Sequence, residues 1–267
     1  NILKKYNDLS DNFSNSNNIN NIYKINETNN EKIEIDEELY DLLTESISLK
    51  EISNNYFNPL IGSLANLWKE TQNSYQIPSQ LEIEEELNKI NNTEIVLEKE
   101  NNKFYVTKIG DAKIDLGAIA KGYTLDKIKD YLDDNNLDKY LIDGGSSSIL
   151  LGTKNTTKSP FNVGLKYINN AYLELQNCFI GVSGIEEQSI NIDGTIYSHI
   201  VNPFNGSSTP NYDFTFVVGN NGALVDVLST SFMMMDLETI KDLEKKHNVS
   251  TLIYKNNEII YKNSNLE

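Results

Sequence analysis

The chain has 267 residues, 39% of them hydrophobic, and a formal charge of −16, so it can bury a sizeable core while its mean field repels nucleic acid and anionic lipid. All 23 basic residues are lysine, which excludes bidentate guanidinium clamps on phosphate and leaves backbone N–H groups, lysine or a divalent cation for that task.

Residues 1–30 are rich in asparagine, and "NFSNSNNINNIYKIN" offers turn formers with few apolar anchors; the stretch reads as a loop, of low order or facing a ligand. Leu39, Leu42, Leu43 and Ile47 then recur at the spacing of an amphipathic helix. "FNPLIGSLANLWKE" predicts a loop feeding a short helix near Trp68, and "IPSQLEIEEELNKIN" a helix with Ser79 as N-cap. From residue 94 the period changes to two: "EIVLEKENNKFYVTK" predicts a hairpin about "ENN", and "AKIDLG" the next strand. A helix within 118–134 is followed by "KYLIDGGSSSILLG", a strand, a Gly-Gly turn and a strand. Further strands are expected at 161–168, 171–176, 178–182, 188–193 and 213–218, helices at 222–235 and 237–247, and a last hairpin in "STLIYKNNEIIYK". Helices early and strands late, without regular alternation, give an α+β class rather than a doubly wound sheet. No repeat and no Pro- or Ser-rich linker divides the chain, so 1–267 is expected as one domain. The single cysteine, Cys178, leaves no intrachain disulfide, and no apolar run is long enough to span a membrane. Opening on Asn1, the chain reads as processed or truncated, with no signal segment.

Four segments hold groups with chemical potential. In "KIDLGAIAKGYTLDKIKDYL", Leu125, Ile128 and Leu132 share a helix face, but Gly122 in the opening turns costs about 1 kcal/mol relative to Ala. With Gly117, it is expected to let something approach the backbone closely. A helix N-terminus after a Gly turn favours an anion such as phosphate, and Lys121 either joins that site or is a solvated surface lysine. Gly144 and Gly145 have the pattern of a hairpin turn, with open main-chain amides for a nucleotide as the alternative. Ser183-Gly184 offers a hydroxyl and an amide to an anion or carbonyl. His199 is expected at a strand end beside the "NPFNG" turn, as a general base or as a structural imidazole. His247, in a lysine-rich helix end, is expected in solvent. Asp226 and Thr230 lie four apart on one helix face, as hard oxygen donors suited to Mg²⁺ or as a helix-start aspartate with a buried threonine. Met233, Met234 and Met235 read as core filler.

Taken in order, "DLGAIAKGYTLD", "DGGSSSILLG", "SG" followed by "DGTIYSHIVNPFNG", and "VDVLSTSF" closely resemble the ApbE family of FAD:protein FMN transferases, and "NPLIGSLANLW" resembles its earlier segment. The resemblance implies an ApbE-like, T-fold-related α+β fold: mixed and antiparallel sheets with helices packed on them and an FAD cleft between lobes. It implies Mg²⁺-dependent transfer of FMN from FAD to a Thr or Ser hydroxyl of an acceptor flavoprotein with a flavinylation motif, releasing AMP. Some relatives hydrolyse FAD to FMN and AMP, and a non-catalytic FAD carrier is the reading from another class. Residue by residue, the resemblance gives Mg²⁺ the carbonyl of Ala118 and the side chains of Asp226 and Thr230. It places Ile119, Lys121, Gly144, Gly145, Ser183, Gly184, His199 and Ile200 along the FAD, with His199 as base. Family habit implies an extracytoplasmic lipoprotein, tethered through an N-terminal segment absent here, as is the family's first strand with its Met-Gly-Thr-like signature. The family's "TSGxYER" stands here as "VSGIEEQ", with Val182, Glu186 and Gln188 in place of Thr, Tyr and Arg.

Overall fold

In a computed structural model, which describes residues 2–15, 17–145, 147–165, 168, 171–185 and 188–266 but not the side chain of Gln72, the Asn-rich opening is a loop only in part. Helices α1 (Ile2–Ser10) and α2 (Ile22–Asn26) flank a connection whose described residues are in neither helix nor strand. Four apolar anchors hold it: Tyr6, Leu9, Ile22 and Ile25 are buried, while Leu3 and Phe13 stay exposed. The asparagines act as connectors. Asn21 caps α2 by accepting from the Lys24 N–H, and its amide nitrogen donates to the carbonyls of Asp8 and Ser14.

Next come β1 (Lys32–Ile35), which sequence reasoning missed, α3 (Glu37–Ile52), α4 (Gly62–Ser74), α5 (Gln80–Asn91), β2 (Glu94–Glu100) and β3 (Lys103–Ile109). The expected cap at Ser79 is a full capping box, Ser79 Oγ accepting from Glu82 N and the Glu82 carboxylate accepting from Ser79 N. The β2–β3 hairpin turns at Asn101 and Asn102, both at positive φ (51° and 61°), as a two-residue turn matched to strand twist requires. An antiparallel sheet ordered β1-β3-β2 results.

The strand expected in "AKIDLG" joins no sheet. Its backbone groups find other partners. The side-chain amide of Asn26 brackets Ile114, accepting from its N–H at 2.6 Å and donating to its carbonyl at 2.8 Å. Asp115 N donates to Pro59 O, and Lys113 O accepts from Gly62 N.

The chain continues through α6 (Ala120–Asp134), β4 (Leu141–Asp143), β5 (Ser148–Leu151), β6 (Phe161–Gly164), β7 (Tyr172–Leu175), β8 (Cys178–Gly184), β9 (Ser189–Ile192) and β10 (Thr195–Ser198). It ends with β11 (Phe214–Gly219), α7 (Gly222–Phe232), α8 (Leu237–His247), β12 (Ser250–Lys255) and β13 (Glu258–Lys262). The strand expected at 161–168 stops at Gly164, and residues 166–167 lie outside the described set. Two compact units form: 1–120 with 188–210, and 121–187 with 211–267.

The first unit carries the three-stranded sheet and the β9–β10 hairpin. In the second, an antiparallel sheet ordered β13-β12-β11-β8-β5-β4 has two different faces. Ile180, Phe214, Phe216, Leu252 and Tyr254 build an apolar core on one. Their alternates Phe179, Gly181, Ser183 and Thr215 meet α7 on the other, as the period of two dictates. Pressed on the sheet, α7 is buried nearly all round, and Met233 to Met235, which follow it, are buried as well. His247 is not in solvent as expected. It is half-buried, its Nε2 is shielded without a hydrogen-bond partner, and burial, then Lys246, lowers its pKa. Among the described residues no helix is long and apolar enough to cross a membrane.

Candidate active site

The second unit concentrates its polar groups where α7 crosses β8 and β5. Asp226, on the sheet-facing side of α7, is only 4% exposed. Its Oδ1 accepts from Ser148 Oγ at 2.7 Å and its Oδ2 from Gly122 N at 2.6 Å. Burial pushes the carboxyl up to about 7, against the pull of those two bonds and of Lys121 and with a small push from Asp126. One turn later, Thr230 Oγ1 lies 3.0 Å from Ser183 Oγ, which is also 3.0 Å from Ser229 Oγ. Ser229 Oγ in turn donates to the Asp226 carbonyl at 2.9 Å. A buried carboxylate and a chain of hydroxyls therefore share one patch, and each carboxylate oxygen keeps acceptor capacity beyond its one donor.

Lys121 is exposed and its Nζ donates to Ser147 Oγ, in the β4–β5 turn. Gly144 and Gly145 form that turn. Gly145 has φ +100° and donates to Asp143 Oδ1, while Gly144 N donates to Ser148 O. Both amides are thus engaged within the turn, which bears out the hairpin and leaves neither as an open donor. Gly184 ends β8, paired with Phe214.

Gly122 has a different reason from the one expected. What comes close is not room for a ligand but α7 itself: a Cβ there would lie 2.1 Å from Gly222 O and 2.9 Å from Asp226 Cγ. Gly117 is the open one, since an added Cβ meets only Asp115 Oδ1, at 3.0 Å.

In the first unit, Asp115 accepts from Gly117 N at 2.7 Å and from Asn12 Nδ2 at 2.9 Å, setting the turn that contains half-buried Ala118 and fully buried Ile119. His199 follows β10, as expected, and is exposed. Its N–H donates to the Gln188 carbonyl at 3.0 Å, and its Nδ1 is 3.4 Å from the same oxygen. With Nδ1–H on that carbonyl, Nε2 carries the lone pair, the tautomer a base needs. Ile200 is buried, its N–H held by Ser198 Oγ at 3.0 Å. Trp68 steadies the following turn, donating to Gly206 O at 2.7 Å and stacking on Tyr197. Of the replaced family positions, Val182 is half-buried in β8, Gln188 serves His199 through its carbonyl, and Glu186 lies outside the described residues.

The structure thus brings Asp226, Thr230 and Ser183 together, with Lys121 in the same unit, and places His199 and Ile200 side by side in the other. Ser148, Ser229, Ser147, Asp126 and Gln188 were missed from the sequence. Three of them stand in "GGSSSIL" and "VLSTSF", beside the glycines and close to Asp226 in sequence, where a serine has no pattern of its own to mark it. Among the described residues no three His, Cys, Asp or Glu side chains form a metal-binding group. One buried carboxylate with neutral oxygens around it suits Mg²⁺, which keeps several waters and takes few protein ligands.

Residues 1–253 match the model of the ApbE family. The FAD:protein FMN transferase of Klebsiella pneumoniae is 27% identical over 213 residues, covering 78% of this chain and 66% of the relative. That of Treponema pallidum is 26% identical over 222 residues, covering 76% and 61%. The chain therefore spans less than two thirds of these relatives' own length. The crystal structure of the ApbE protein of Thermotoga maritima superposes with a TM-score of 0.84 at 25% identity, over 99% of this chain and 88% of that one. The flavin transferase ApbE of Vibrio cholerae shares the fold at a TM-score of 0.74 and 21% identity, over 94% and 81%.

Proposed function

This chain belongs to the ApbE family, and on that footing we propose that it transfers FMN from FAD to a Thr or Ser hydroxyl of an acceptor protein, with Mg²⁺, releasing AMP. The observation that carries the reading is Asp226. A carboxylate this buried, held by a serine and a backbone amide yet pushed up to about 7 by burial, is a group short of positive charge. In a chain of charge −16 without arginine, a divalent cation is the natural supply.

Asp226 and Thr230 would hold that cation, the resemblance adding the carbonyl of Ala118; when bound, Mg²⁺ neutralises charge on the pyrophosphate. Ser148 and the Gly122 amide orient the Asp226 carboxylate. Ser183 fixes the Thr230 hydroxyl, and with Lys121 and Gly184 it is assigned to the FAD. His199 Nε2 takes the proton from the acceptor hydroxyl as its oxygen bonds to the FMN phosphorus. The phosphorus–oxygen bond to AMP breaks, and AMP leaves with that electron pair.

The test is incubation of the protein with FAD, MgCl₂ and an acceptor flavoprotein domain, followed by intact mass and in-gel flavin fluorescence. Covalent FMN on the acceptor with AMP released in equal amount is the expected result. FMN and AMP with an unlabelled acceptor would make the protein an FAD pyrophosphatase, and intact bound FAD a carrier; either overturns the transferase reading.

A further inference from the structure

An α-helix begins with four amides that have no partner inside it, at the positive end of its dipole. In α7 the three of these amides on the helix's own residues are taken by protein side chains. Leu224 N donates to Asn221 Oδ1 at 2.6 Å, just ahead of the first intrahelical bond, from Val225 N to Asn221 O at 3.2 Å. Gly222 N and Ala223 N donate to the two carboxylate oxygens of one residue, Asp126, at 2.6 and 2.8 Å. The helix therefore carries its anion built in, supplied by the neighbouring helix α6.

The place from which Asp126 reaches gives it a consequence for the site. One turn earlier on α6, Gly122 meets Gly222 with no space between the backbones: a Cβ on either would fall 2.1 or 2.3 Å from the other's carbonyl oxygen. The same Gly122 holds Asp226 Oδ2 by its N–H. Positions 122 and 126, one turn apart on α6, thus grip 222–223 and 226, one turn apart on α7. On the sheet side, a Cβ at Gly181 would lie 2.4 Å from Val225 O, so α7 also rests directly on the strands, with no room to come closer to them. The glycines set how close α7 lies. They leave open its shift along α6 and its rotation, and a bidentate acceptor on two successive amides restrains both.

We propose that Asp126 is a positioning residue for the cation site: its hold on the first two amides of α7 fixes where the Asp226 carboxylate and the Thr230 hydroxyl stand. The inference rests on the reading of Asp226 and Thr230 as cation donors. Groups that orient metal ligands from behind typically change metal affinity by about 10–100-fold when removed.

The experiment is a titration of the full chain, with FAD, by Mn²⁺, following loss of the free-ion paramagnetic resonance signal. Asp126→Ala, Asp126→Asn and Asp126→Glu are each compared with wild type, alongside thermal melting and the Mg²⁺ dependence of turnover. Asp126→Ala is expected to weaken Mn²⁺ binding and to raise the half-saturating Mg²⁺ by about tenfold, with kcat at saturating Mg²⁺ within about threefold of wild type. Asp126→Glu keeps the charge but displaces the oxygens by a methylene, and is expected to weaken binding as well. Asp126→Asn keeps shape and one acceptor, and is expected to fall between wild type and Asp126→Ala, so it decides the matter if the alanine variant fails to fold. Lowered melting temperatures with wild-type Mn²⁺ affinity in the variants would make Asp126 a purely structural cap and overturn the proposal. So would wild-type affinity in Asp126→Glu alone, which would mean that only the charge acts. Asp226→Asn separates the two levels. If it abolishes binding while the Asp126 variants do not, the positioning role alone fails; if it too binds like wild type, the cation reading itself is lost.

Discussion

Gly122→Ala is a one-methyl test of how the site is built. The new Cβ would sit 2.1 Å from Gly222 O, and ordinary contact begins near 3.4 Å, so α6 and α7 would have to part by about 1.3 Å. The Gly122 N–H···Oδ2 bond to Asp226, now 2.6 Å, would be stretched beyond bonding range. Overpacking costs about 1–3 kcal/mol, and a buried carboxylate oxygen left without its donor about 1–3 kcal/mol. Together that is about 2–6 kcal/mol, offset by less than about 1 kcal/mol from better helix propensity. For a protein of this size the melting temperature should fall by about 5–20 °C, measured by circular dichroism and checked by urea denaturation. Gly117→Ala is the control, since its Cβ meets only Asp115 Oδ1 at 3.0 Å and should change melting far less. A Gly122→Ala protein that melts like wild type but has lost FAD affinity would refute this account, because the glycine would then be making room for ligand rather than for α7.

Ser148→Ala should cost about 1–3 kcal/mol in chelator-treated protein, because it leaves Asp226 Oδ1 buried without its hydroxyl donor; urea midpoints check it. Asp226→Asn should abolish Mg²⁺-dependent turnover yet melt no lower than wild type in EDTA. The amide oxygen can accept from Gly122 N and its nitrogen can donate to Ser148 Oγ with no charge to bury, and a large loss of stability would contradict that exchange. His199→Ala should slow flavin transfer by about 10²–10⁴-fold with FAD affinity retained; transfer at the wild-type rate would remove the base assignment. Lys108 is buried, with Nζ on Asn29 Oδ1 and Gly110 O, and burial, ahead of the opposing pull of Asp111, holds its pKa below 10.5. The unfolded chain then binds the proton more tightly, so this group adds stability as pH rises from the folded pKa toward 10.5. Lys108→Met should flatten that rise in urea titrations, and an unchanged slope would count against it.

What could be read without coordinates was what local rules decide. The α5 cap at Ser79 and Glu82 and the Asn101–Asn102 hairpin each need only neighbours within three or four residues, and each is where the pattern put it. The strand end at His199 follows from the Pro-Phe-Asn-Gly turn just after it. The clearest misreading involves a distant partner. "AKIDLG" has strand composition, but its pairing groups are taken by Asn26, 88 residues from Ile114. The asparagines between α1 and α2 do form a connection, but two of them also tie it to distant chain, Asn12 to Asp115 and Asn20 to Glu34, which no local window shows.

By itself the sequence determined the class of the fold, the charge that makes a cation the reasonable partner of phosphate, the absence of arginine, and the order of segments that marks the family. Only the tertiary structure decided what the glycine in "AIAKG" is for, which serine donates to Asp226 from 78 residues away, and that Asp126 closes the first turn of α7. The physical reason is range. Capping, turn geometry and hydrophobic period act along a few residues of chain. Close backbone approach and the hydrogen bonding of a buried carboxylate depend on which elements the packed sheet and helices bring within 3 Å.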